Sequence, residues 1–366
     1  MGEFWLARVP EPSRVEAIAT RAEAAGWDGV AFTDSQNLVG DPFVAVAVAA
    51  RATTRLRFMT GVANAATRDP AQLAGVALTA QQYAGGRFVL GIGRGDTALF
   101  HLGRKPQPVA PFAERLAQVR DYLAGEVVDR NGYPSRLRWR TRAEHPAVPV
   151  DLAAAGPRVI ALGARLADRV TLAVGADPGR VAWGASLLRD AAAEAGRPVP
   201  SLGAYVVVGC HPDRAVARDL VRGSLAAFLH FSAMPGSTGA GVAPGDRAAF
   251  AELGERYDSR RHLMGGAEHS ALLDDDLVER HAVVGPPDAC VARLSALADL
   301  GVERFVVAGA TIDAERQAAR LSERLLADEV LPALRGRPPA GTPLGLEPAQ
   351  RAGPGRAGAA PRADGA

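Results

Sequence analysis

The chain has 366 residues, enough for one large α/β domain or two ordinary ones. Lysine and arginine total 42 against 40 aspartate and glutamate, and a net charge of +2 argues against nucleic-acid or membrane-surface binding. Cys210 and Cys290 lie far apart with no Cys or His partner at metal-ligand spacing, so they read as buried structural thiols. The opening MGEFWLARVPEP lacks the charged start and long apolar region of a signal peptide, and no run of about 18 apolar residues occurs, so a soluble, cytoplasmic protein is expected.

Short apolar runs alternate with helical patterns from the start. Glu3 to Arg8 reads as a strand, and Ser13 as the start of a helix to Ala25, with Glu16 completing a capping box and Gly26 stopping it. Gly29 to Thr33 is the second strand. Asp41-Pro42 opens the next helix, with a cap before it and proline in the first turn. Leu56 to Val62 is the third strand, Asp69-Pro70 repeats the helix-start device to about Tyr83, and Gly85-Gly86 turns into the fourth. Such a βαβαβα series implies a parallel sheet with right-handed crossovers.

After Asp96 the rhythm changes. Residues 97–108 are irregular, a helix covers Val109 to Leu123, and 129–146 form an Arg-, Pro- and Gly-rich excursion. Strands follow at 148–153, 169–173 and 202–209, with helices at 157–165, 177–195 and Pro212 to about Phe231. Residues 232–272 are too long for a simple connection and read as a lid or substrate-side insertion. Asp274 to Asp276 cap a short helix, Pro286 to Leu300 is another, Arg304 to Ala308 is the eighth strand, and a helix from Asp313 to Leu334 closes the set. The expected fold is a (β/α)8 TIM barrel over residues 1–335, with insertions after strands 4 and 7. Residues 336–366 are Pro, Gly, Ala and Arg with two leucines and read as a disordered tail.

The most informative stretch is RFVLGIGRGD, residues 87–96, in which an apolar strand ends in Gly91, Gly93 and Gly95 with Asp96 directly after. A loop almost without side chains lets a phosphate, or a large flat group, approach the backbone. LRFMTGVANAATRDP runs from a strand into Gly61, and VDLAAAGPRV into Ala155-Gly156-Pro157. Three such strand ends suggest one shared cofactor pocket at the carboxyl edge of a parallel barrel.

The ordered set WDGVAFTDSQ, DPFVAVAVAARATTRLRFMTGVANAATRDP, GGRFVLGIGRGD, PVDLAAAGPRVIALGARLADRV and VVGPPDACVARLSALADLGVERFVV resembles the bacterial luciferase-like superfamily. Within it the chain is most similar to the branch that uses the deazaflavin coenzyme F-420, whose archetype is methylenetetrahydromethanopterin reductase. The resemblance implies hydride transfer between reduced F-420 and a small organic substrate. It places Asp34, at the end of strand 2, beside the deazaflavin ring for contact or proton handling, and a non-proline cis peptide between Gly61 and Val62 behind the ring. Gly93, Arg94, Gly95 and Asp96 match the loop along the cofactor tail, Ala155-Gly156-Pro157 the phosphate cradle, and Gly175 a second wall of it. Where relatives carry an acid near the end of strand 1 and a histidine after the strand-2 aspartate, this chain has Ala7 and Ser35, so the proton-handling group does not carry over.

One alternative is an FMN-dependent monooxygenase that uses O₂ and needs a partner flavin reductase, and another is a non-catalytic cofactor-binding paralogue. The implied partners are otherwise a small-molecule substrate and, in a homodimer, a second copy of the chain. His262 and His269 read as exposed loop histidines, although a place on the substrate side is also open to them; RLRWRTR at 136–142 reads as a solvated basic excursion. GIGRGD lacks the G-x-G-x-x-G spacing of a dinucleotide fingerprint, so a Rossmann reading is poor.

Overall fold

A computed structural model describes residues 2–139, 147–234 and 241–336. Eight parallel strands close into a barrel: β1 (Glu3–Arg8), β2 (Gly29–Phe32), β3 (Arg57–Thr60), β4 (Phe88–Ile92), β7 (Val150–Ala154), β8 (Arg169–Leu172), β9 (Ser201–Cys210) and β11 (Arg304–Ala308), with β11 pairing back onto β1. Helices α1 (Val15–Ala24), α2 (Pro42–Ala52), α3 (Pro70–Tyr83), α6 (Pro157–Leu166), α7 (Pro178–Glu194) and α11 (Pro287–Asp299) cover the outside. The chain is therefore a (β/α)8 TIM barrel.

The two-residue period of a strand decides which side chains face which layer. In β1, Phe4 and Leu6 pack outward under the helices, whereas Trp5 and Ala7 belong to the barrel interior. Ala31, Met59, Val89, Ala153, Ala173, Tyr205 and Val306 complete that interior. Below them, Asp151 and Arg304 form an ion pair at 2.8 Å with both side chains at most 2% exposed, and Thr171 donates to Asp151 at 2.7 Å. Arg304 also donates to Thr171 and Ser201, so the charged pair is embedded in hydroxyls at the base of the barrel.

The Asp-Pro starts of α2 and α3 are built as anticipated: the Asp41 carboxylate accepts from the Phe43 and Val44 N–H groups, and that of Asp69 from Ala71. The capping box at Ser13 does not form. The Ser13 hydroxyl turns back to Glu11, and the helix starts one residue later behind Arg14, with no side-chain cap.

Two connections leave the barrel rhythm. After β4 come α4 (Thr97–Phe100), within the stretch read as irregular, α5 (Val109–Ala124), as anticipated, and a hairpin of β5 (Val128–Arg130) and β6 (Tyr133–Ser135) where the sequence presented an excursion. After β9 come α8 (Arg214–Ala233), a 3-10 turn leading into α9 (Arg247–Arg256), two further short 3-10 turns and α10 (Asp275–His281). β10 (Val283–Gly285), not anticipated, then pairs with the overhanging end of β9. The closing helix is broken: α12 (Arg316–Leu325) passes through a π turn into α13 (Leu331–Arg335). No described helix is long and apolar enough to cross a membrane. Both cysteines are buried and free. The tail from 337 and residues 140–142 of the basic stretch lie outside the described residues.

Asp151→Asn leaves the Arg304 guanidinium buried without its counter-charge and should cost about 3 kcal/mol. Urea unfolding should show a lower midpoint with an unchanged slope, because the exposed surface on unfolding is the same.

Candidate active site

The mouth of the barrel is built where strands 3 and 4 run out. The Gly61–Val62 peptide bond after β3 is cis, the one such bond among the described residues. Past it the two chains stay paired: Ala63 N–H donates to Gly91 O and Gly93 N–H to Ala63 O, each at 2.9 Å. A methyl group added at Gly93 would lie 2.9 Å from Val62 Cγ2, and one at Gly61 3.1 Å from Ala31 Cβ, so a side chain at either position would require its neighbour to shift. Ala7, Val62, Ala155, Phe228 and Phe231 are half-buried against the interior cluster and give the mouth apolar walls. Ala155 follows β7 directly, and Gly156 is the side-chain-free cap of α6, with Pro157 in the first turn.

Gly95 has φ +78 and turns the chain toward α4. Gly175, at φ +82, has a packing reason: a methyl there would sit 3.0 Å from the His281 carbonyl, which accepts from Ala176 N–H at 2.8 Å. Its backbone is pressed onto the end of α10, a constraint separate from a cradle wall.

Two carboxyls at the mouth, Asp34 buried and Asp96 half-buried, have opposite surroundings. Asp34, 6% exposed, is gripped by Arg68 at 2.5 Å and by Gln36 at 2.7 Å, and the same guanidinium reaches Asp41 at 2.8 Å. Burial raises its pKa, and the charge and hydrogen bond of Arg68 oppose that rise. Asp34 thus ties the β2 loop to the β3 loop through a partner that sequence reading missed. Among the described residues Asp96 has no such cation in contact, and its Oδ2, buried without a hydrogen-bond partner among them, faces His230 Nε2 at 3.6 Å. Burial pushes this carboxyl up to about 6, against the pull of Arg94.

Arg94 donates to the Gln107 carbonyl at 2.7 Å. Burial lowers its proton affinity, and the positive charge of Arg158 lowers it further, outweighing the opposite effect of Asp96. Arg158 lies exposed in the first turn of α6, whose N-terminus presents the positive end of the helix dipole.

His262 and His269 are not exposed loop residues. His269 is 1% exposed, and both rings pack on Tyr257, His269 at 4.3 Å and His262 edge-on at 6.0 Å between centroids. The Tyr257 hydroxyl is 2.5 Å from His262 Nδ1, and the Tyr257 ring stacks on His230 at 4.1 Å. Burial holds the His230 and His262 imidazoles down to about 4, so both are neutral near pH 7. His230, in the apolar run LAAFLHFSA at the end of α8, escaped the sequence reading because its pattern is that of a core helix. Tyr257, Arg68 and Arg158 left no local signal.

Among known proteins, a family model described as luciferase-like monooxygenase matches residues 2–304. The chain is 28% identical over 311 residues to 5,10-methylenetetrahydromethanopterin reductase of Methanolobus tindarius, covering 84% of this chain and 93% of that one. The solved structure of the coenzyme F-420-dependent tetrahydromethanopterin reductase of Methanopyrus kandleri matches with TM-score 0.69 at 20% identity, covering 91% of this chain and 99% of that one. An F-420-dependent secondary alcohol dehydrogenase, solved with an F-420–acetone adduct, matches with TM-score 0.70 at 16% identity and the same coverages, 91% and 99%. At these identities the two structural matches show a shared fold.

The raised pKa of Asp96 has a measurable cost. A carboxyl whose folded pKa lies above its unfolded value contributes stability at low pH that is lost as pH rises, here from about 4 to about 6. A rise of that size corresponds to roughly 3 kcal/mol. Asp96→Asn removes the penalty, so its stability relative to wild type, measured by urea unfolding, should fall by roughly that amount between pH 7.5 and pH 4.

Proposed function

The chain belongs to the luciferase-like monooxygenase family, and from that premise we propose that it is an oxidoreductase that passes a hydride between the deazaflavin coenzyme F-420 and a small organic substrate. The observation that carries this reading is that β4 and β7 pair side by side, so that the glycine loop 93–95 and the side-chain-free start of α6 at Gly156 adjoin next to an apolar mouth that holds one weakly countered acid. A long phosphodiester tail would lie along the glycine loop 93–95 and the Ala155-Gly156-Pro157 turn, where charge, helix end and lack of side chains favour it. The names of the M. kandleri reductase and of the alcohol dehydrogenase, both F-420-dependent, support the choice of coenzyme. The flavin monooxygenase alternative draws support from the family description.

When bound, the deazaflavin exchanges a hydride at a ring carbon. The chain's own contribution is shape, dryness and a proton. Ala7, Val62 and Ala155 leave room at the mouth, and Phe228 and Phe231 supply a wall against which a flat group packs. Asp96 handles the proton that balances hydride transfer. Protonated below about pH 6, it delivers that proton to a substrate oxygen as the carbon receives hydride; ionised above, it accepts the proton in the reverse direction. Asp34 is the less suited acid, since Arg68 and Gln36 occupy its two oxygens and its part is to hold the β2 loop against the cofactor.

The purified protein should bind F-420 more tightly than FMN in parallel fluorescence titrations. Gly156→Asp should weaken F-420 binding by about two orders of magnitude, since a carboxylate at the cap opposes the phosphate by a few kcal/mol in a partly buried site. The melting temperature of the apo protein should hold, because an aspartate at a helix start is favourable. Preferential FMN binding, with O₂ consumed once reduced flavin is supplied, would move the assignment to the monooxygenase.

A further inference from the structure

We infer that His230 is the positioning residue for Asp96: the imidazole delivered by the end of α8 holds the carboxyl in place and sets its proton affinity. The inference rests on the reading of Asp96 as the proton-handling group.

The contacts form a closed circuit. Asp96 Oδ2 faces His230 Nε2 at 3.6 Å, and His230 stacks on Tyr257 at 4.1 Å with planes 13° apart. The Tyr257 hydroxyl meets His262 Nδ1 at 2.5 Å, and that same nitrogen lies 3.5 Å from the hydroxyl of Thr97, the residue after Asp96. The loop after β4 is therefore joined to the long segment after β9 at two adjacent residues, 96 and 97. Stacking on Tyr257 fixes the plane of the His230 ring, and α8 fixes its position, so the distance to the carboxyl is set by two separate elements.

The polar atoms make the pairing specific. Among the described residues Asp96 Oδ2 is buried without a hydrogen-bond partner, and the polar side-chain atom it faces is His230 Nε2 at 3.6 Å. Buried polar atoms are rarely left so, and the imidazole is the neighbour placed to meet this oxygen. The groups facing Asp96 are Arg94 on its own loop, His230 on α8 and Tyr257 after α9. His230 is faced by Asp96, Tyr257, Phe231 and, at longer range, His262 and His269. Asp258 and Arg261 act on His269, and His101 on His262, one step removed.

A neutral imidazole suits this place because it partners both states of a carboxyl. Through one tautomer Nε2–H donates to the carboxylate, and through the other Nε2 accepts from the carboxylic acid. An arginine there would lock the acid in its charged form, and a phenylalanine would leave it with no polar neighbour in either state. His230 thus lets Asp96 cycle between states while its position stays fixed.

The test is made on the apo protein, labelled with ¹³C at the aspartate carboxyls and titrated by NMR. The Asp96 signal is identified by its loss in Asp96→Asn. His230→Phe keeps the stack on Tyr257 and removes the nitrogens, so the Asp96 midpoint should rise by about one unit, a tenfold gain in proton affinity, because the anion loses its donor in a buried place. His230→Gln, which donates and accepts without titrating, should return the midpoint to the wild-type value. Should His230→Phe not fold, His230→Ala gives the same comparison. An unshifted midpoint in the folded Phe or Ala variant would overturn the inference and reduce His230 to a packing residue. The titration uses no cofactor, so a failure of F-420 to bind would sink the proposed function and leave this result readable.

Discussion

Everything at the mouth depends on strands 3 and 4 staying paired beyond their ends. Two hydrogen bonds through Ala63, to Gly91 and from Gly93, keep the backbones side by side after the bend at Gly61–Val62. A side chain at Gly91 would run into the Thr60 carbonyl at 1.9 Å and force the strands apart, Gly95 turns in the left-handed region, and Asp96 follows at the start of α4. The loop is braced from outside as well: Arg115 donates to the Ala65 carbonyl and Arg104 to that of Ala66.

Burial then divides the labour between two aspartates. Both lose water, and desolvation favours the protonated form of each. Asp34 recovers much of that cost from Arg68 and becomes a strut between loops. Asp96 recovers little, because its neighbour is a neutral imidazole and the Arg94 guanidinium is bonded to the Gln107 carbonyl. A carboxyl pushed up to about 6 beside an apolar mouth suits the proton transfer proposed for it.

What was legible in the sequence follows from how local each signal is. The eight strands announced themselves by apolar runs, and Asp41-Pro42 and Asp69-Pro70 by caps whose bonds reach only two or three residues. The Ser13 box failed because Glu11, just upstream, took the hydroxyl. β10 is three residues long and is a strand only because β9 overhangs the barrel to pair with it. The glycines of the mouth were legible as small residues at strand ends, but the packing role of Gly175 needed the α10 carbonyl that touches it. His230, Tyr257, His262 and His269 come from distant parts of the segment after β9, and no spacing shows that they meet around one phenol ring.

The account stands on the mouth having evolved around a deazaflavin phosphodiester and not a simple flavin phosphate. The most direct measurement is the mass of the ligand retained when the protein is purified gently from a host that makes both cofactors. A deazaflavin, released on denaturation in near-stoichiometric amount, is the result the account predicts. Recovery of FMN in its place would contradict it.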